Sequence, residues 1–239
     1  MKGLYLVFGY PDVEAFDRAV ALAEGSGFDF LEVGVPFSEP VADGPYLSAA
    51  SKRAIERGVT LESALEWIAS YKGGLKIYVM TYANILLARG LERVSREMRD
   101  AGVRGVIVAD LPNREQWFFR ERGFELPIIP FATPESRRQD IEMIAGLDAD
   151  FVYFVSVRGT TGSGFRLERE VVEKIGFLRE ICKKPVVLGF GISEPEHVRA
   201  ALKVADGFVI GTRAVRELDR GLDFFESWCN SLTMCFKAV

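Results

Sequence analysis

Short apolar runs recur along the chain and alternate with longer amphipathic stretches. The runs cover residues 4–8, 30–35, 76–82, 105–110, 126–131, 151–157, 185–191 and 206–211, eight in all. Each is short enough for a buried strand. The stretches between them, such as VEAFDRAVALAEGSG, LESALEWIASYKGG and LERVSREMRDAG, read as helices that end at glycine. Thr133 with Pro134 reads as a helix N-cap followed by a first-turn proline. Ser193 and Glu196 read as a capping box, which puts His197 near the surface. Strand–helix alternation implies parallel strands joined by right-handed crossovers. Eight such units predict a closed (β/α)8 TIM barrel of the α/β class, with a doubly wound open sheet as the alternative. No low-complexity linker divides the chain, so residues 1–239 are expected to form one domain.

One segment breaks the apolar rule. In LEVGVPFSEPVADGP, residues 31–45, a glutamate sits inside a strand pattern. Side chains alternate across a strand, so Leu31, Val33 and Val35 share one face while Phe30, Glu32 and Gly34 share the other. The aliphatic face should meet the helices. Glu32 then points into the barrel, near the strand's C-terminal end, where active sites of this fold are built. Burial there favours the neutral carboxyl and raises its pKa. Such a group can donate and accept protons near neutral pH. A structural glutamate bonded to a neighbouring strand is the plainer alternative. Asp43, in the loop that follows, has the pattern of a turn aspartate beside glycine, but its loop opens on the same rim.

Three glycine-bearing loops follow the last strands: RGTTGSG at 158–164, GFGIS at 189–193 and GTRAV at 211–215. Barrels of this fold often hold phosphate between the loops after strands seven and eight, on backbone N–H groups at a helix N-terminus. Thr212 is placed to cap that helix and offer its hydroxyl.

Composition narrows the chemistry. The single histidine, His197, argues against Ser–His or Cys–His catalysis and against a His-rich metal site. Cys182, Cys229 and Cys235 lack metal-ligand spacing and suit buried thiols in a reducing cytoplasm. The net charge is −4 with no basic stripe, which speaks against nucleic-acid binding. No apolar run approaches the roughly 20 residues of a membrane span.

LEVGVPFSEPVADGP closely resembles the signature of the tryptophan synthase alpha subunit family, and VMTYAN, AGVRGVIVADLP, the TTG of loop six and GFGIS match that family in the same order. The resemblance implies a (β/α)8 barrel that cleaves indole-3-glycerol phosphate to indole and glyceraldehyde 3-phosphate by a retro-aldol reaction. It implies Glu32 and Asp43 as catalytic residues. It implies phosphate contacts at Gly162, Gly191, Gly211 and Thr212, and an indole pocket at Tyr5, Met80, Tyr82, Tyr153 and Phe190. It implies no metal and no cofactor in this chain. Pyridoxal phosphate belongs to the beta subunit, the expected partner in an alpha2beta2 assembly. The chain departs from the family in Glu39 (usually Asp), GTTG (usually GVTG), Thr212 (usually Ser) and Tyr5 (usually Phe). The first strand also begins almost at once, where most relatives carry a short helix.

Rival readings explain less. An isomerase or epimerase on a sugar phosphate would share the cradle but not the aromatic pocket. A Schiff-base aldolase needs a lysine high in a strand, whereas Lys76 begins its strand and Lys184 precedes the next. A catalytically idle partner-binding subunit would be expected to lack one carboxylate, and both are present.

Overall fold

A computed structural model describes residues 1–155, 167–189 and 191–236. Eight parallel strands run as β1 (Lys2–Val7), β2 (Phe30–Gly34), β3 (Lys76–Thr81), β4 (Gly105–Val108), β5 (Phe131–Ala132), β6 (Val152–Val155), β7 (Val186–Gly189) and β8 (Gly207–Ile210). Their order is β4-β3-β2-β1-β8-β7-β6-β5. The two ends of this series also meet. Val106 donates its N–H to the Pro127 carbonyl at 2.8 Å, and Ile129 donates to the Val106 carbonyl at 2.9 Å. The sheet therefore curls into a barrel, and the open doubly wound alternative is excluded.

The fifth strand differs from expectation. The run 126–131 contains Pro127 and Pro130, which have no N–H to give a ladder. Their carbonyls still accept, Pro127 from β4 and Pro130 from Tyr153 at 2.9 Å. Regular pairing is left to Phe131 and Ala132. The N-cap expected at Thr133 is likewise absent. Residues 133–136 close a turn, in which Ser136 N–H reaches the Thr133 carbonyl at 3.0 Å and the Ser136 hydroxyl accepts from Thr133 N–H at 2.9 Å. The helix begins only at Arg138.

Strand alternation sorts the residues as the pattern implies. Leu31 and Val33 are fully buried on the helix side. Phe30, Tyr78 and Phe151 meet in the lower lumen at ring-centre distances of 5.3 to 5.6 Å, which fills the barrel floor. The Tyr78 hydroxyl reaches Asp150 at 2.6 Å from that cluster, which satisfies its one polar atom. The outer helices are set by local signals. Asp12 caps the helix Val13–Gly25 by accepting from Ala15 N–H at 2.8 Å. Thr60 and Ser63 form a reciprocal capping box on the helix Leu61–Ser70. All three cysteines are buried free thiols, as expected.

Candidate active site

Glu32 lies in register with Tyr5 on β1 and Tyr78 on β3, so its side chain stands among lumen-facing aromatics. It is 0% exposed. Neither of its carboxyl oxygens has a hydrogen-bond partner among the described residues. The plainer alternative, a structural glutamate bonded to a neighbouring strand, is thereby removed. Burial holds the Glu32 carboxyl well above the usual carboxylate range.

Asp43 reaches the same space from the loop after β2. Its Oδ2 accepts from the Tyr82 hydroxyl at 3.2 Å, while its buried Oδ1 has no hydrogen-bond partner among the described residues. Burial lifts its pKa to about 6, and the Tyr82 hydrogen bond pulls the other way. The Tyr82 oxygen also accepts from Ala42 N–H at 3.3 Å, and its ring stacks on Phe37 with centres 5.0 Å apart. Tyr82 thus stands behind Asp43 and fixes its loop; it does not line the central cavity.

That cavity, of about 200 Å³, is lined by Tyr5, Glu32, Asp43, Met80, Tyr153, Gly191, Gly211 and Thr212 among others. Eight expected residues therefore surround one space. Met80 and Tyr153 also border a second cavity of about 400 Å³. Gly162 and Phe190 lie outside the described residues. The two tyrosine rings fit because glycines oppose them. A Cβ on Gly34 would lie 2.4 Å from the Tyr5 oxygen, and one on Gly189 would lie 1.9 Å from the Tyr153 ring. Burial raises both phenols first, and the nearby acidic groups add to it, so both stay neutral.

The opposite end of the cavity is backbone. Gly191 has φ +77°, a left-handed conformation that favours glycine. Gly211 is the N-cap of the helix Thr212–Arg220, and no side chain caps it. Thr212 is therefore the first helical residue and not the cap expected from sequence. The first-turn N–H groups of a helix lack intrahelical acceptors and sit at the positive end of its dipole. The arrangement suits an anion.

Sequence reasoning missed Leu47, Ile192, Ser193, Val209, Arg213 and Arg216 in the lining. The two arginines had a signal, since positions three apart just after a cradle loop share one helix face. The capping box at Ser193 is not formed. Glu194 is the N-cap of the helix Pro195–Val204, and the Ser193 N–H and hydroxyl meet His197 Nδ1 at 3.3 and 3.2 Å. His197 is accordingly half-buried. Among the described residues no cluster of three or more His, Cys, Asp or Glu could hold a metal ion, and no helix is long and apolar enough to cross a membrane.

Comparison with known proteins agrees with this geometry. The family described as "Tryptophan synthase alpha chain" matches residues 4–236. The alpha chain of Aquifex aeolicus is 38% identical over 218 residues, covering 89% of this chain and 83% of that one. The alpha chain of Trichodesmium erythraeum is 35% identical over 240 residues, covering 95% and 90%. A solved tryptophan synthase from Mycobacterium tuberculosis superposes with a TM-score of 0.89 at 30% identity, covering 99% of this chain and 92% of that one. A barrel with one buried and one half-buried carboxyl group facing one aromatic cavity, matched along nearly its whole length, belongs to the tryptophan synthase alpha-chain family.

Proposed function

We propose that Glu32 is the proton-transferring residue and Asp43 the charge-stabilising residue of the family reaction in this chain. The chain is a carbon–carbon lyase that cleaves indole-3-glycerol phosphate in tryptophan biosynthesis. Cleavage at indole C3 needs that carbon protonated, which gives a cationic indolenine. Glu32, kept neutral by burial, donates this proton. The C–C bond then breaks as the adjacent glycerol hydroxyl loses its proton to the Glu32 carboxylate. The hydroxyl carbon becomes the aldehyde of glyceraldehyde 3-phosphate, and the electron pair of the broken bond restores the indole. Asp43, ionised above about pH 6, accepts the indole N–H and stabilises the positive charge as it appears. Tyr5, Met80 and Tyr153 supply the walls for the bicyclic ring, and Tyr82 holds Asp43. Gly191, Gly211 and Thr212 take the phosphate. The reading rests on one observation: a fully buried carboxyl and a half-buried one, each with an oxygen that has no hydrogen-bond partner among the described residues, face the cavity that an uncapped helix N-terminus closes.

Two results are expected. The kcat should rise with pH through about 6, as Asp43 ionises, and fall at higher pH, as Glu32 loses its proton. A stopped assay of indole release from pH 5 to 9 measures this, and a flat acid side would deny Asp43 its role. Gly211→Asp puts a carboxylate where the phosphate would sit and should raise KM by roughly tenfold or more. Unchanged KM would move the cradle elsewhere.

We further infer that residues 1–239 act as a single catalytic domain and that a beta chain is the partner, in an alpha2beta2 assembly. Pyridoxal phosphate belongs to that beta chain. The loop between Glu32 and Asp43 supports this, since it carries Glu39 and a Val41 that is 73% exposed. Co-purification with a beta chain, with indole release measured in both states, tests the pairing.

A further inference from the structure

The proposed substrate brings a phosphate monoester of about −1.5 to −2 charge into a cavity that already holds two carboxyl groups. The chain's own net charge is −4, so its overall field does not favour that anion. A helix N-terminus offers only roughly half a positive charge. A full cation near the phosphate would offset the difference.

Two arginines line the cavity, and their commitments differ. Arg213 is 3.0 Å from Glu217 and 3.5 Å from Glu194, so its charge is already matched. Glu217 in turn takes Arg220 at 2.7 Å. Arg216 lies one turn on and makes no ion pair among the described residues. Its guanidinium is seated over the Tyr46 ring, 5.1 Å from the centroid. That seat is itself fixed. The Tyr46 hydroxyl donates to Asp219 Oδ2 at 2.8 Å, and Asp219 also accepts from Tyr10 and pairs with Arg53 at 3.6 Å. Asp219, the nearby acid on the same helix, is therefore occupied by other groups. Arg216 is left as a pre-positioned cation beside Gly211 and Thr212. Tyr46 follows Asp43 by three residues, so the seat belongs to the segment that carries the second carboxylate.

We propose that Arg216, held by the Tyr46 ring, is a specificity-determining residue that selects the phosphorylated substrate by pairing with its phosphate. The proposal rests on the reading of Gly211 and Thr212 as the phosphate cradle. Arg216 touches neither the indole nor the reacting carbon in this account, so its contribution falls on binding.

The test is calorimetric binding of glycerol 3-phosphate and, separately, of indole, to the full chain and to Arg216→Ala, Arg216→Gln, Arg216→Lys, Tyr46→Leu and Gly211→Asp. Alanine and glutamine at 216 should weaken glycerol 3-phosphate binding about tenfold and flatten its dependence on salt. Lysine should restore most of the loss, Tyr46→Leu should show a smaller loss, and indole affinity should stay at the parent value. In turnover assays the loss should appear in KM. Unchanged glycerol 3-phosphate affinity in Arg216→Ala, or an equal loss for indole, overturns the proposal. If Gly211→Asp abolishes binding and Arg216→Ala does not, the cradle stands and the arginine's role falls. The reverse result keeps the arginine and moves the cradle.

Discussion

Glu32→Gln should lower kcat by roughly a thousandfold while KM changes little. Glutamine has nearly the shape of the neutral acid but no proton that it can give to carbon. The cavity walls are unaltered, so substrate should still bind. The same variant should be more stable than the parent at neutral pH. The folded Glu32 binds its proton more tightly than the usual value of 4.5 in an unfolded chain. As pH rises above that value, the unfolded state releases the proton first, and the parent loses stability across the window up to the folded pKa. Glutamine has no such loss. Urea unfolding at pH 5 and pH 8 should therefore show the variant's advantage growing with pH. A variant that keeps most of its turnover would refute the acid role. An advantage that does not grow with pH would refute the burial argument.

Asp43→Asn should slow kcat by about a hundredfold, because an anion placed where positive charge develops acts in the transition state and not in the ground state. The amide can still accept from the Tyr82 hydroxyl, which Asp43 does at 3.2 Å, so the loop should keep its place. The rise of kcat through pH 6 should also vanish, since the group that titrates there is gone. Steady-state kinetics from pH 5 to 9 checks both. A loss confined to KM would contradict charge stabilisation and make Asp43 a binding residue.

Much of this is legible in the amino-acid sequence alone. The period-two alternation of strand two is enough to send Glu32 inward, because Leu31 and Val33 must face the helices. The loops after strands seven and eight announced a glycine-lined rim, and Gly191 and Gly211 are both on it. What stayed hidden depends on contacts between distant segments. The apolar run 126–131 looked like any other strand, yet its two prolines restrict pairing to an isolated bridge with Val106 and one short ladder. Tyr82 resembled a pocket wall, and only the fold shows its hydroxyl turned to Asp43, 39 residues away in sequence. Ser193 had the spacing of a cap, but His197 took its hydrogen bonds first. Arg216 was one charge among the 30 lysines and arginines until the fold set it over Tyr46 in the cavity lining.

The central claim is that two acidic groups flank one bicyclic ring above the barrel. A crystal structure with a non-cleavable analogue, in which the glycerol chain lacks its hydroxyls, tests it most directly. The expected complex has a Glu32 oxygen about 3–3.5 Å from indole C3, with an Asp43 oxygen accepting the ring N–H at about 2.9 Å. The phosphate should rest against Gly211 and Thr212. An indole bound elsewhere, or one whose C3 and N–H face away from both carboxylates, would contradict the account.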